Sequence, residues 1–318
     1  MPVRLGYLLI DGFALMSYAP VIEPFRAANR LSGQNLYSWQ HYSATGADAR
    51  ASTGVSLSVD GPITDLDAPD VMFVCAGGNP ALFRDPRTFE VLRRVSRFGV
   101  RMVGISGGPY VLARAGLLDG YRCTIHWEHE IAFAETFPAA HLERGLYVID
   151  RNRITCAGGL AGLDLATALI GDDHGIALSR EVSDWYIQSE QRQAGGPQRR
   201  TPAQRYLVSH KGFAQVLAVM DAKPTEPMDR QALARIAGIS IRQLERLFLS
   251  KLGTTISAHS RELRLAFGRK LLTETDMSVT EAAMTSGFSS VSYFSRQFKL
   301  RYAISPSSVR RGVIVNQH

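Results

Sequence analysis

Cysteine is scarce in this chain. Its 318 residues hold three, Cys75, Cys123 and Cys156, far apart and with no C-x-x-C spacing. An odd number at such separations argues against a disulfide framework and predicts buried free thiols in a reducing compartment. Long apolar runs are missing too. None approaches the roughly 20 residues that a membrane-spanning helix needs, so no membrane partner is expected. The start lacks a basic region followed by a small-residue cleavage site, because Pro2-Val3-Arg4 leads straight into a strand-like run; a cytoplasmic protein is expected. Excess basic charge is absent from the first 190 residues, which carry 16 Lys and Arg against 21 Asp and Glu. Residues 201–318 carry 17 against 8. That half suits phosphate contact, and the first does not.

The length suits two domains, one near 200 residues and one near 100. Residues 1–190 alternate strand-like and helix-like segments. Apolar runs at 4–10, 70–75 and 100–105 are separated by helical patterns at 21–29 and 88–97, a hairpin over 142–156 turns at Asp150-Arg-Asn-Arg153, and a helix covers 160–170. This alternation predicts an α/β domain with a parallel sheet covered on both faces. Residues 191–205 fall in a polar stretch with two glycines and two prolines and read as the linker. Residues 206–310 form the second domain, and beyond Val309 the tail reads as short and frayed.

The sharpest feature of the first domain is Gly104-Ile-Ser-Gly-Gly-Pro109, where a buried strand meets a helix. Small residues around Ser106 allow a tight elbow that presents the hydroxyl beside backbone N–H groups. Literally this is G-x-S-x-G, so one reading is a serine hydrolase with Ser106 as nucleophile. The acids and histidine it needs downstream, Asp164, Asp172, Asp173 and His174, crowd into one short segment. That segment reads as a helix ending in a solvated acidic turn, and neither a metal nor another cofactor is expected. The elbow and the block from Leu112 through Leu117-Leu-Asp-Gly-Tyr-Arg to His126-Trp127 resemble the PfpI-type branch of the class I glutamine amidotransferase-like fold, a flavodoxin-like sheet. In its enzymes the elbow carries a reactive cysteine paired with a histidine. With Ser106 in that place the resemblance implies a domain without catalytic residues. Glu23, Ser106, Gly107, His126 and Trp127 are expected to bind an effector: a carboxylate for a cation, N–H and O–H donors for an anion, and a ring face for an amine.

The second domain writes one pattern twice. Gln231 to Lys251 and Val279 to Lys299 each hold a short helix, a glycine turn (Gly238, Gly287), a capping serine (Ser240, Ser290) and a second amphipathic helix. Leu244, Arg246 and Phe248 fall on Phe294, Arg296 and Phe298. An all-α domain with two helix-turn-helix motifs follows, joined by a helix over 258–274. Ser240, Arg242, Gln243, Arg246, Ser290, Ser292, Tyr293, Arg296 and Lys299 are expected at double-stranded DNA. The pattern resembles the AraC-type transcription regulators, with Ala303 standing where that family usually has Gly. The order of the two domains resembles the GlxA-type subfamily, especially regulators of glycine betaine, carnitine or arginine catabolism. The resemblance implies a regulator, an activator by expectation. Its partners would be operator DNA, RNA polymerase, a second copy of the chain and a small amino-acid or betaine-like effector.

Overall fold

A computed structural model describes residues 1–226 and 228–311. Contacts divide the chain into two compact units, Met1–Gln198 and Arg199–His318. In the first, β1 (Val3–Leu9) leads through α1 (Leu15–Ser32) to β2 (Tyr37–Ser43) and the short β3 (Ala49–Arg50), β4 (Ser56–Leu57) and β5 (Gly61–Pro62). Then come β6 (Val71–Ala76), α2 (Pro86–Arg97), β7 (Arg101–Ser106), α3 (Gly108–Arg114), β8 (Arg122–Cys123), α4 (Glu130–Thr136) and β9 (His141–Leu142). The hairpin β10 (Tyr147–Asp150) and β11 (Arg153–Cys156) precedes α5 (Ala161–His174) and α6 (Ile176–Trp185). Among the described residues the main sheet runs β10-β11-β7-β6-β1-β2-β5, parallel except for the β10–β11 pair at its edge.

The apolar runs become the central strands because both their faces are covered. Tyr7, Leu9, Phe73 and Cys75 point into one core with Val21, Phe25 and Leu165 of α1 and α5. Leu8, Ile10, Met72 and Val74 point into the other, with Leu92 of α2 and Leu112 of α3. The period of two along each strand distributes its side chains between the two layers.

One reading of the sequence is extended and one corrected. The acidic end of α5, Asp172 and Asp173, is exposed, with the helix running on to His174, whereas the Asp164 side chain in the first turn of that helix is completely buried. It accepts from Gln188 Nε2 (2.8 Å), the Arg192 backbone N–H (2.8 Å), Arg192 Nε (3.0 Å) and Nη2 (2.6 Å). The polar stretch after α6 is correspondingly a strap laid on the first unit. Leu146 N–H donates to the Ala194 carbonyl at 2.7 Å. Gln198 Nε2 donates to Thr124 Oγ1 (3.2 Å) and to the carbonyls of Ile125 (3.0 Å) and Gly145 (2.8 Å), while its Oε1 accepts from Trp127 N–H (2.7 Å). Polarity here serves hydrogen bonding, which composition does not distinguish from solvation.

The second unit is helical: α7 (Pro202–Arg205), α8 (Lys211–Ala222), α9 (Arg230–Ala237), α10 (Ile241–Leu252), α11 (Ile256–Glu274), α12 (Val279–Thr285), α13 (Val291–Tyr302) and α14 (Pro306–Arg310). Residues 312–318, most of the tail expected to fray, lie outside the described residues. Phe213, Leu217, Leu233, Leu244 and Phe248 form a core shared by α8, α9 and α10. Along α13, the rings of Phe294, Phe298 and Tyr302 meet in sequence at tilted angles, with centroids 5.4 and 4.7 Å apart. The long α11 comes close to α13 at Gly268, where an added Cβ would lie 2.8 Å from the Phe294 ring.

Candidate functional site

Ser106 ends β7 with φ +59, a left-handed conformation that a residue with a Cβ adopts at a cost. The elbow is closed from the other side by the β11–α5 connection. A Cβ on Gly158 would lie 2.6 Å from Ser106 Cβ and 2.7 Å from Ser17 Oγ, so only glycine fits there. Ser17 Oγ accepts from the Gly159 N–H at 2.8 Å, which brings a second hydroxyl to the elbow. Ser17 lies in the first turn of α1, four residues before the helical pattern over 21–29, and nothing in the sequence singled it out.

The expected effector residues separate into two groups. His126 lies at the elbow, its N–H donating to the Ser106 carbonyl at 3.4 Å. Trp127 follows, 39% exposed, its ring 5.3 Å from the His126 ring. Gly107 and Glu23 are otherwise engaged. The Gly107 N–H donates into the sheet, to the Ala76 carbonyl at 3.0 Å, so the elbow offers one donor fewer than the motif suggests. Glu23 faces α6, accepting from Arg26 Nε at 2.7 Å and Tyr186 O–H at 3.1 Å. Its carboxylate neutralises a neighbour within the fold. Tyr110 is fully buried, with its O–H on Thr136 Oγ1 at 3.2 Å.

A nucleophilic serine needs its hydroxyl on a base. The His126 backbone joins the elbow, and its Nδ1 accepts from the Glu128 N–H at 3.3 Å. The cysteines offer no substitute. Burial pushes the Cys75 thiol well above its ordinary range and those of Cys123 and Cys156 up to about 12, so all three are protonated at neutral pH. The turn after Ile125 also brings together His126, Glu128 and His129, a trio with metal-ligand chemistry that the spacing did not single out.

In the second unit α10 and α13 repeat one burial pattern. Leu244 and Phe248, like Phe294 and Phe298, are buried, whereas Arg242, Gln243 and Arg246, like Ser292, Tyr293, Arg296 and Lys299, are exposed. Ser240 and Ser290 cap these helices, accepting from the N–H groups of Gln243 and Tyr293 at 3.3 Å each. Gln243 is committed to the same cap, since its Oε1 accepts from the Ser240 N–H at 3.0 Å. A glutamine reads adenine with both its oxygen and its nitrogen, so Gln243 cannot do so while it closes the capping box. The Arg296 guanidinium lies 5.6 Å from the centroid of the Tyr293 ring, which holds both side chains outward.

Fold and surface together define a class: an α/β domain of amidotransferase-like build, without a thiol at its elbow, joined to a double helix-turn-helix domain. The DJ-1/PfpI family matches residues 9–171, and a helix-turn-helix domain family matches residues 233–312. The HTH-type transcriptional regulator GlxA of Rhizobium meliloti is 41% identical over 97% of this chain and 95% of its own length. The HTH-type transcriptional regulator CdhR of Pseudomonas aeruginosa is 41% identical over 96% and 90%. Among solved structures, that of an AraC family transcriptional regulator from Pseudomonas putida superposes with a TM-score of 0.54 at 24% identity, covering 58% of this chain and all of that one; it bears on the fold alone. The chain belongs to the GlxA-like HTH-type transcriptional regulators, with an AraC-type DNA-binding domain. No described helix is long and apolar enough to cross a membrane.

Proposed function

We propose that the first unit senses a small metabolite without turning it over and that α10 and α13 read successive major grooves of an operator. The observation that carries the DNA half is the repeated exposure of basic and polar side chains over a repeated aromatic core. Arg242, Arg246, Tyr293, Arg296 and Lys299 are the readers or phosphate contacts, and Ser240, Gln243 and Ser290 hold helix starts in place. The effector lies over Ser106, Ser17, His126 and Trp127, with hydroxyls for a carboxylate and an indole face for an amine. An amino acid or a betaine-like zwitterion has both groups. The chain works in the cytoplasm as a dimer held by its first unit, acts on RNA polymerase as an activator, and has its DNA-binding part begin after the strap. The serine at position 106, where the amidotransferase-like enzymes carry a reactive cysteine, supports a sensor over a hydrolase.

Coupling follows from the strap. Gln198, the last residue of the first unit, holds the Trp127 N–H and the carbonyl of Ile125. A ligand that moves the Trp127 turn therefore acts on the residue from which the chain leaves that unit.

Calorimetry of the full chain with the best hit from a screen of amino acids and methylated amines tests the sensor. Ser106→Ala should weaken binding by about 0.5 to 1.5 kcal/mol, one neutral hydrogen bond. Mass spectrometry of the incubated metabolite should find it unchanged. A product that disappears in Ser106→Ala would establish the hydrolase instead.

A further inference from the structure

We propose that the turn His126-Trp-Glu-His129 is a binding site for a divalent transition ion of the zinc class. The turn is closed by the His129 N–H on the His126 carbonyl at 2.8 Å, which sets the two imidazoles on one side. Their ring centroids are 6.1 Å apart and their planes inclined by 54°. Glu128 joins them, and one ligand atom from each of the three lies within 4.8 Å of the others. The neighbouring carboxylate, Glu130, lies outside this cluster and accepts from Arg144 Nε at 2.6 Å.

Two imidazoles and one carboxylate suit zinc, cobalt or nickel rather than magnesium or calcium, which prefer all-oxygen sites. Around a tetrahedral ion with bonds of about 2.0 to 2.1 Å the ligand atoms stand roughly 3.4 Å apart. The trio must therefore close by about 1 Å or a little more. Exposed Glu128 can supply that by changing rotamer, whereas His129, 3% exposed, is held by packing. Coordination through His126 Nδ1 would replace its long 3.3 Å bond from the Glu128 N–H. Three protein ligands leave a fourth position open, as in sites that take a water or an added ligand. The first two residues of the turn donate their backbone N–H groups to the Ser106 carbonyl and to Gln198, so an ion here would stiffen the connection between elbow and strap. Ion binding is measured without any effector, so it stands or falls apart from the sensor reading.

The experiment is equilibrium dialysis of the full chain against zinc chloride at about 10 µM, a concentration that fills a micromolar site, followed by metal analysis. Cobalt chloride is added in parallel to read the absorption bands of a tetrahedral site. One ion per chain is expected. Glu128→Gln, a surface change that leaves the fold intact, should lower affinity at least tenfold, and His126→Ala likewise. His174→Ala, on the exposed end of α5, should leave it unchanged. Hydrogen exchange in residues 124–130 and 196–198 should slow when zinc is added. Wild type that retains no zinc would overturn the proposal, since a cluster of mere ion-paired side chains holds none. Full binding in the Glu128→Gln, His126→Ala double variant would equally refute it, by placing the ion elsewhere.

Discussion

Asp164 allows the strap to be tested with numbers. Its carboxylate is fully buried and takes four hydrogen bonds, two of them from the guanidinium of Arg192, which is itself 46% exposed. Asp164→Asn keeps the shape but turns an amide N–H₂ toward the guanidinium and removes the charge. Two charge-assisted bonds are worth about 3 to 6 kcal/mol gross. Half of that is recovered because the freed Arg192 is rehydrated at the surface, leaving a loss of about 1.5 to 3 kcal/mol. Local opening of the strap should then rise roughly tenfold or more. Cleavage by trypsin after Arg192 follows that open population when closing outpaces cutting. The rate after Arg192, taken relative to that after exposed Arg200, should rise accordingly. The opposite truncation orders the energetics. Arg192→Ala strands a buried carboxylate and should cost more, about 3 to 5 kcal/mol, with Asp164→Ala added to it restoring part of the loss. Cleavage after Arg192 within twofold of wild type in Asp164→Asn would refute the clasp.

Replacing Arg242 or Arg246 by Ala should weaken operator binding by about 1 to 3 kcal/mol in fluorescence anisotropy and relax preference at one base pair; equal weakening on all sequences would assign them to phosphate. Ala303 holds φ +59 at the end of α13, where Gly253 occupies the same place after α10. Ala303→Gly should therefore raise the unfolding midpoint of the second unit, by about 1 kcal/mol in free energy. Ser106→Gly should stabilise the first unit in chemical denaturation by about 1 kcal/mol, strain relieved less the added chain entropy, while Ser106→Ala stays near wild type.

What the sequence made legible follows from local chemistry. The strands β1, β6 and β7 are continuous apolar runs, and the helix-turn-helix copies repeat their turn glycines, caps and aromatic positions, so period and punctuation sufficed. β2 was hidden because Tyr37-Ser-Trp-Gln-His-Tyr-Ser43 is polar on alternate positions and near the sheet edge, where its pattern is only partly buried. Glu23 and Asp164 show a different limit. Both are acids with tertiary partners: Arg26 is within reach of Glu23 along α1, but Tyr186 and Arg192 meet these carboxylates only after α6 and the strap have folded back. Gln243 shows a third, since a residue suited to reading bases is equally suited to capping its own helix, and spacing alone cannot choose.

Magnitudes also constrain how the elbow can govern DNA binding. The link from Trp127 N–H to Gln198 is one hydrogen bond of 2.7 Å, worth about 1 kcal/mol net, which shifts an equilibrium by less than tenfold. Moving a two-state protein from 1:99 to 99:1 takes about 5.5 kcal/mol of differential binding. The Trp127 contact is therefore a trigger too weak to act alone. Gln198 makes three further bonds, and the Asp164–Arg192 clasp adds about 1.5 to 3 kcal/mol. Released together, these approach the scale a switch requires. The strap then behaves as one cooperative element, closed or open, and the ligand's task is to prefer one of those states. On the sensor proposal, this also accounts for a strained serine in place of a thiol at the elbow: a pocket that must hold its ligand through the change gains nothing from consuming it.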